Sequence, residues 1–164
     1  FVKFNERCMI RLLGDMRAYN YVIIPIHDFD KVIYKIRAID FDQQSYEGDL
    51  KVYRPQFFKE NFPMVMLVKD HLDKTSIDQY KIEERATIAR RILSNETRLT
   101  QLLKCMLNDH ISTPEKIEQL RKEVYELTKQ SSFLKSRSMG EIVRAAFHFV
   151  KRNYENHEML RVNR

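Results

Sequence analysis

The spacing of apolar residues along the chain changes near residue 63. Before it they come in short runs: Tyr21-Val22-Ile23-Ile24-Pro25-Ile26 is followed by a polar stretch, and then by Lys31 to Ile39 with Val32, Tyr34, Ile36 and Ala38 on one face. Two such runs around His27-Asp28-Phe29-Asp30 predict a β-hairpin whose turn favours Asp without any ligand. Beyond residue 63 the apolar period becomes helical. Ser76-Ile77-Asp78-Gln79 reads as a capping box ahead of Ile82, Ala86, Ala89 and Leu93. Thr113-Pro114 opens a run with Ile117, Leu120, Val124 and Leu127. Ser138-Met139-Gly140-Glu141 opens another with Ile142, Ala145, Ala146, Phe149 and Val150. Shorter helices are predicted over residues 1–12, 64–72 and 96–108. The pattern as a whole predicts an α+β, mostly helical fold.

Composition narrows the class. At 164 residues and 43% hydrophobic, the chain is long enough to build a core of its own, and one domain over residues 1–164 is expected. Phe1 begins in mid-pattern, so the chain reads as a fragment of a longer polypeptide. Cys8 and Cys105 match neither a disulfide framework nor a zinc-ligand pattern, which points to a reducing, cytoplasmic compartment. No apolar run approaches the roughly 18 residues that span a bilayer, so no membrane span is expected. The net charge of +6 raises the question of nucleic acid, with Arg90, Arg91, Lys135, Arg137, Lys151 and Arg152 as a candidate patch. Those residues alternate with acids on predicted helix faces, and solvated faces are the favoured reading.

Candidate chemistry lies around the hairpin. In IRLLGDMRAYNYVII, Asp15 is followed five positions later by Asn20, immediately before the first strand, and Ile39-Asp40-Phe41-Asp42 closes the second. The order helix, acid, amide, hairpin, acid resembles the carboxyl lobe of the protein-kinase-like superfamily, whose catalytic loop carries D-x-x-x-x-N and whose metal loop carries Asp-Phe-Gly. Leu13-Gly14-Asp15 with Asn20 is closest in loop pattern to the phosphatidylinositol kinases and aminoglycoside phosphotransferases.

The resemblance implies an ATP-dependent phosphotransferase acting on a hydroxyl acceptor. Asp15 is then the catalytic acid-base residue, and Arg17, two positions on, meets the transferred phosphate. Asn20 and Asp40 would hold the nucleotide through Mg2+, a cation that selects hard oxygen ligands. Asp42, where the family has glycine, is a further candidate metal ligand. The resemblance also implies an amino lobe outside this chain, carrying a Gly-rich loop and a phosphate-pairing Lys. It covers residues 1–48 by motif and residues 49–160 only by helical character.

Residues 49–63 have the place of an activation or substrate-binding segment. Across residues 43–63, Tyr46, Tyr53, Phe57, Phe58 and Phe62 alternate with Lys51, Arg54 and Lys59, and docking of this stretch onto the helical layer is favoured over a grip on a planar or acidic substrate. The competing reading of the whole chain is a non-catalytic helical interaction module, with nucleic acid as a conceivable partner, in which the Asp residues only shape turns.

Overall fold

The computed structural model describes the backbone of residues 1–162 and the side chains of residues 1–158. The architecture is α+β with a helical majority: helix α1 (Val2–Arg11), strands β1 (Tyr21–Asp28) and β2 (Lys31–Ala38), then helices α2 (Phe62–His71), α3 (Lys74–Ser94), α4 (Glu96–Leu107), α5 (Pro114–Thr128) and α6 (Met139–Val162). Among the described residues no helix is long and apolar enough to cross a membrane.

Helix α1 organises the interior because its sides feed three separate apolar clusters. Phe4 and Cys8 pack with Leu13, Met16, Tyr21 and Ile36 at the base of the hairpin. Ile10 packs with Ile88, Ala89, Ile92 and Val150, on α3 and α6. Leu12, just past the helix end, joins Tyr53, Leu120, Phe133 and Ile142. Each fully buried side chain of this size contributes about 1.5–3 kcal/mol relative to exposure.

The end of α1 sets the direction of everything that follows. Leu12 takes a left-handed conformation, φ 50°, and the N–H groups of Leu12 and Leu13 donate to Met9 O and Cys8 O at 3.4 and 2.9 Å. This is a Schellman closure, a place where glycine is usual because a Cβ costs energy there. Leu12 occupies it with its side chain only 2% exposed, so core burial offsets the backbone cost.

The hairpin matches the sequence reading, with a tighter turn. Asp28 pairs with Lys31, leaving Phe29 and Asp30 as a two-residue tip at which Phe29 has φ 52° and is fully exposed. The first Asp-Phe-Asp is therefore a turn. Ile39 N–H donates to Asn20 O at 3.0 Å, which makes that rung hydrogen-bonded and, counting by two along the register, places Pro25 opposite Tyr34 in a non-hydrogen-bonded rung. Proline costs no ladder bond there.

Helix α3 departs from its expected face. It starts at Lys74 with Asp73 as N-cap, accepting from Ser76 N–H at 2.7 Å, rather than at the Ser76 box. Its buried residues are Glu84, Ile88, Ala89 and Ile92, while Ile82 and Leu93 are exposed. The stripe at every fourth position contains a carboxylate, and a search for apolar residues alone passes over it. Glu84 is tolerated inside because Arg7 of α1 donates to it at 2.8 Å and also to Ile36 O of the hairpin at 3.0 Å. Helices α5 and α6 follow the expected stripes at Leu120, Val124, Ile142 and Val150, with Val143 added. Thr113 caps α5, accepting from Lys116 N–H at 3.3 Å, and Ser138 accepts from Glu141 N–H at 3.1 Å at the start of α6.

Candidate functional site

Gly14 opens the loop because nothing larger fits. A Cβ built at this position would stand 2.4 Å from the carbonyl oxygen of Gln43, which crosses directly over it. The strand of chain after β2 is thereby laid on the loop before β1, and Ser45 N–H donates to Leu12 O at 2.9 Å to fix the crossing.

Asp15 follows with φ 55°, a left-handed conformation that Asp adopts more readily than most side chains. Its N–H donates to Val52 O at 3.1 Å, and its carbonyl accepts from Arg17 N–H at 2.8 Å. Asn20 is buried, and its Nδ2 donates to Asp15 O at 2.7 Å and more weakly to Asp15 Oδ2 at 3.4 Å. The acid and the amide five positions on thus close one tight loop. With Nδ2 committed, Oδ1 is the Asn20 atom available to a cation.

Arg17 is held on both sides. Its Nε donates to Asp15 Oδ1 at 2.7 Å, its Nη1 to Glu60 Oε1 at 3.0 Å, and its guanidinium lies over the Phe58 ring, 4.7 Å from the centroid. The bond to Asp15, then that to Glu60, raises the pKa of the guanidinium. Glu60 is held below the usual carboxylate range by its own backbone N–H first and by Arg17 second. Arg17 is therefore not a free cation; to meet a phosphoryl group it must exchange one of these carboxylates.

Asp40 stands one residue beyond the Asn20–Ile39 rung, half-buried, and its Oδ1 accepts from Asp42 N–H at 3.1 Å. Asp42 is exposed. Asp15, Arg17 and Asn20 are thus in mutual contact, Asp40 follows the residue whose N–H bonds to Asn20 O, and Asp42 touches Asp40 through its backbone. Among the described residues no three of His, Cys, Asp and Glu converge as a metal-holding group. The donors at the hairpin base are amide and carboxylate oxygens, the hard set that Mg2+ takes with several retained waters, so their chemistry suits that ion.

Residues 49–63 dock, as expected, through three 3-10 turns, Leu50–Tyr53, Pro55–Phe57 and Lys59–Asn61. Tyr53 is fully buried and donates to Glu47 O at 2.6 Å. Several of the aromatic faces are covered by the chain's own cations: Arg54 and Lys51 lie over Phe57 at 4.9 and 5.9 Å, and Lys116 over Tyr46 at 4.0 Å. Of the basic patch, Lys151 pairs with Glu96, and Arg90 lies over the Tyr154 ring at 6.0 Å.

Two residues that the sequence pattern does not single out prove central. Glu60 completes the Asp15–Arg17 pairing, and Asn61, with no exposed surface, bonds to Met16, Tyr21 and Pro55. The only signal for Asn61 is a polar residue set between aromatics in Glu60-Asn61-Phe62-Pro63. Comparison with family models, with curated proteins and with solved structures finds no match for this chain.

Proposed function

We propose that this chain is the carboxyl lobe of a kinase-like phosphotransferase, with ATP as phosphoryl donor and a hydroxyl group as acceptor. The observation that supports this most directly is the closed Asp15–Asn20 loop bonded to the base of the hairpin at Ile39, with Asp40 as the next residue.

On this reading Asp15 accepts the proton of the acceptor hydroxyl. Asn20 Oδ1 and the Asp40 carboxylate would hold magnesium, with Asp42 as a further candidate. Bound ATP supplies the transferable phosphoryl group, and its magnesium neutralises phosphate charge. Arg17 orients the Asp15 carboxylate through its Nε, and exchanges Glu60 or Asp15 for phosphate as charge develops. The three glycines, Gly14, Gly48 and Gly140, are too scattered for a Gly-rich phosphate loop, so the reading assigns that loop to an amino lobe outside residues 1–164.

A second reading is favoured by the hairpin surface. Val22, Ile23, Ile26, Val32, Ile33 and Tyr34 are exposed, and alternate residues of a strand face opposite ways, so both faces of a two-stranded sheet are apolar. That suits a sheet covered by another body: the amino lobe on the first reading, a binding partner on an interaction-module reading.

Activity of the full-length polypeptide separates the two. Asp15→Asn is expected to lower ATP turnover about a hundredfold or more with little change in melting temperature or nucleotide affinity. Asp40→Asn is expected to weaken magnesium-dependent nucleotide binding itself. An interaction module predicts that both variants act through stability alone, with no phosphoryl transfer to lose.

A further inference from the structure

A cavity of about 540 Å³ opens between α1, α2, α5 and α6, remote in character from the polar loop described above. Leu12, Phe133, Ile142 and Val150 line its inner wall, and all four are nearly completely buried. Val65 and Val68 of α2 line the opposite wall. The cavity is open to solvent on one side, so an apolar group that covers its walls removes apolar surface from water. It lies within the volume range of small-molecule sites, which are mostly apolar with a few placed polar groups.

Helix α2 gives the second observation. Its sequence, Phe-Pro-Met-Val-Met-Leu-Val, is apolar for seven residues, yet none of its residues is buried, and its contacts are with the 3-10 turns that precede it. A helix of this composition normally sits in a core. Here it roofs an open space.

The polar groups on the lining decide what kind of molecule fits. Glu6 is 5% exposed and already satisfied by Arg85 at 2.5 Å. Arg54 is not: among the described residues its guanidinium meets no carboxylate as an ion pair and lies over Phe57. Burial lowers the pKa of Arg54, with Glu6 the opposing influence. An anion arriving here relieves a partly desolvated cation, while a cationic head group would find its only buried carboxylate taken.

We infer that this cavity binds an amphipathic anion with a single alkyl chain, of the class of a fatty carboxylate, its chain between α2 and the α1–α6 wall and its head group at Arg54. No residue of the Asp15–Asn20 loop lines the cavity.

Titration calorimetry of the whole chain with dodecanoate and dodecanol, each below its aggregation concentration, tests it. Saturable one-to-one binding of dodecanoate is expected, with a rise in melting temperature because the ligand binds the folded state alone. Arg54→Gln should weaken dodecanoate about tenfold or more and leave dodecanol unchanged, as loss of a charge-assisted contact requires. Val68→Trp should abolish binding of both by filling the space; should it fail to fold, Val65→Phe replaces it. Absence of saturable binding, or binding indifferent to the filling variant, overturns the site. Dodecanol binding as tightly as dodecanoate, with Arg54→Gln silent, overturns the anionic head group.

Discussion

The hydroxyl of Tyr21 donates to Oδ1 of Asn61 at 2.8 Å, joining the first residue of the hairpin to a side chain that has no exposed surface. Asn61 Nδ2 donates in turn to Met16 O and Pro55 O, each at 2.8 Å. One amide therefore holds the Asp15 loop, the hairpin base and the 3-10 segment in fixed relation. Its three bonds use the donors and one acceptor that a planar amide offers in two opposite directions.

Removing either partner leaves buried polar atoms unpaired, and that is where the cost lies. Tyr21→Phe is expected to destabilise by about 1–3 kcal/mol, because Asn61 Oδ1 loses its donor inside the protein. Asn61→Leu strands three atoms at once and should cost more than Tyr21→Phe. Urea denaturation of the two single variants and the double variant checks this. The double variant should fall well short of the sum, since the two side chains share one bond.

Gly14→Ala tests the crossing of the two loops. The added methyl meets a backbone oxygen rather than a flexible side chain, so the Gln43 strand must shift. An overpacking cost of about 1–3 kcal/mol is expected. Ser45 N–H, bonded to Leu12 O across the same junction, should lose hydrogen-exchange protection ahead of the amides of α6. Equal loss at both places would show that the crossing is not a local unit.

Much of the fold is legible in the sequence because its periodic signals agree with the local chemistry. Thr113-Pro114 and Ser138 cap helices where expected, and the hairpin follows from its alternating residues. Helix α3 is misread by one face because Glu84 and Arg7 form a pair across two helices, a relation that no single segment displays. The site is legible in part for the same reason. Asp15 and Asn20 bond within one loop, and sequence spacing can express that. Glu60 reaches Arg17 across 43 positions, and Asn61 reaches Met16 across 45, so only the folded chain brings them together.

Cys8 and Cys105 should differ sharply in reactivity. Cys8 has no exposed surface, and burial pushes its thiol from the ordinary 9.0 to about 12, whereas Cys105 is exposed. The thiolate is the reactive form, so an alkylating reagent near pH 8 should modify one thiol rapidly and the second only on unfolding. The same shift makes stability depend on pH. Between about 9 and about 12 the unfolded chain releases the Cys8 proton while the folded chain keeps it, so stability should fall as pH rises through that window. Cys8→Ala removes the Cys8 share of this dependence, leaving the share of the buried Tyr53 and Tyr21 phenols, whose pKa values burial also raises, and lowers stability at neutral pH by loss of packing. A wild-type profile flat from pH 8 to 11 would contradict the burial of the thiol.

Glu60→Gln separates orientation of Asp15 from stability of the fold. The Arg17–Glu60 pair is partly exposed, and pairs that water still reaches contribute little to folding because water and salt screen them. The melting temperature should therefore be nearly unchanged. Arg17 keeps its bond to Asp15 but loses its second anchor, and its guanidinium becomes freer to leave the Phe58 ring. If the phosphotransferase proposal holds and Arg17 orients the Asp15 carboxylate for proton acceptance, ATP turnover by the full-length polypeptide should drop several-fold at unchanged nucleotide affinity. Acid should mimic the substitution. The Glu60 carboxyl is depressed below its ordinary 4.5 by its backbone N–H and by Arg17, so the pairing is complete above that value and is lost as pH falls through the lower folded one. Glu60→Gln should erase that acid limb from the chemical shift of Arg17 Nη1, the atom that bonds to Glu60. A shift profile identical in wild type and Glu60→Gln would show that the pair does not form in solution, and the role of Glu60 would fall with it.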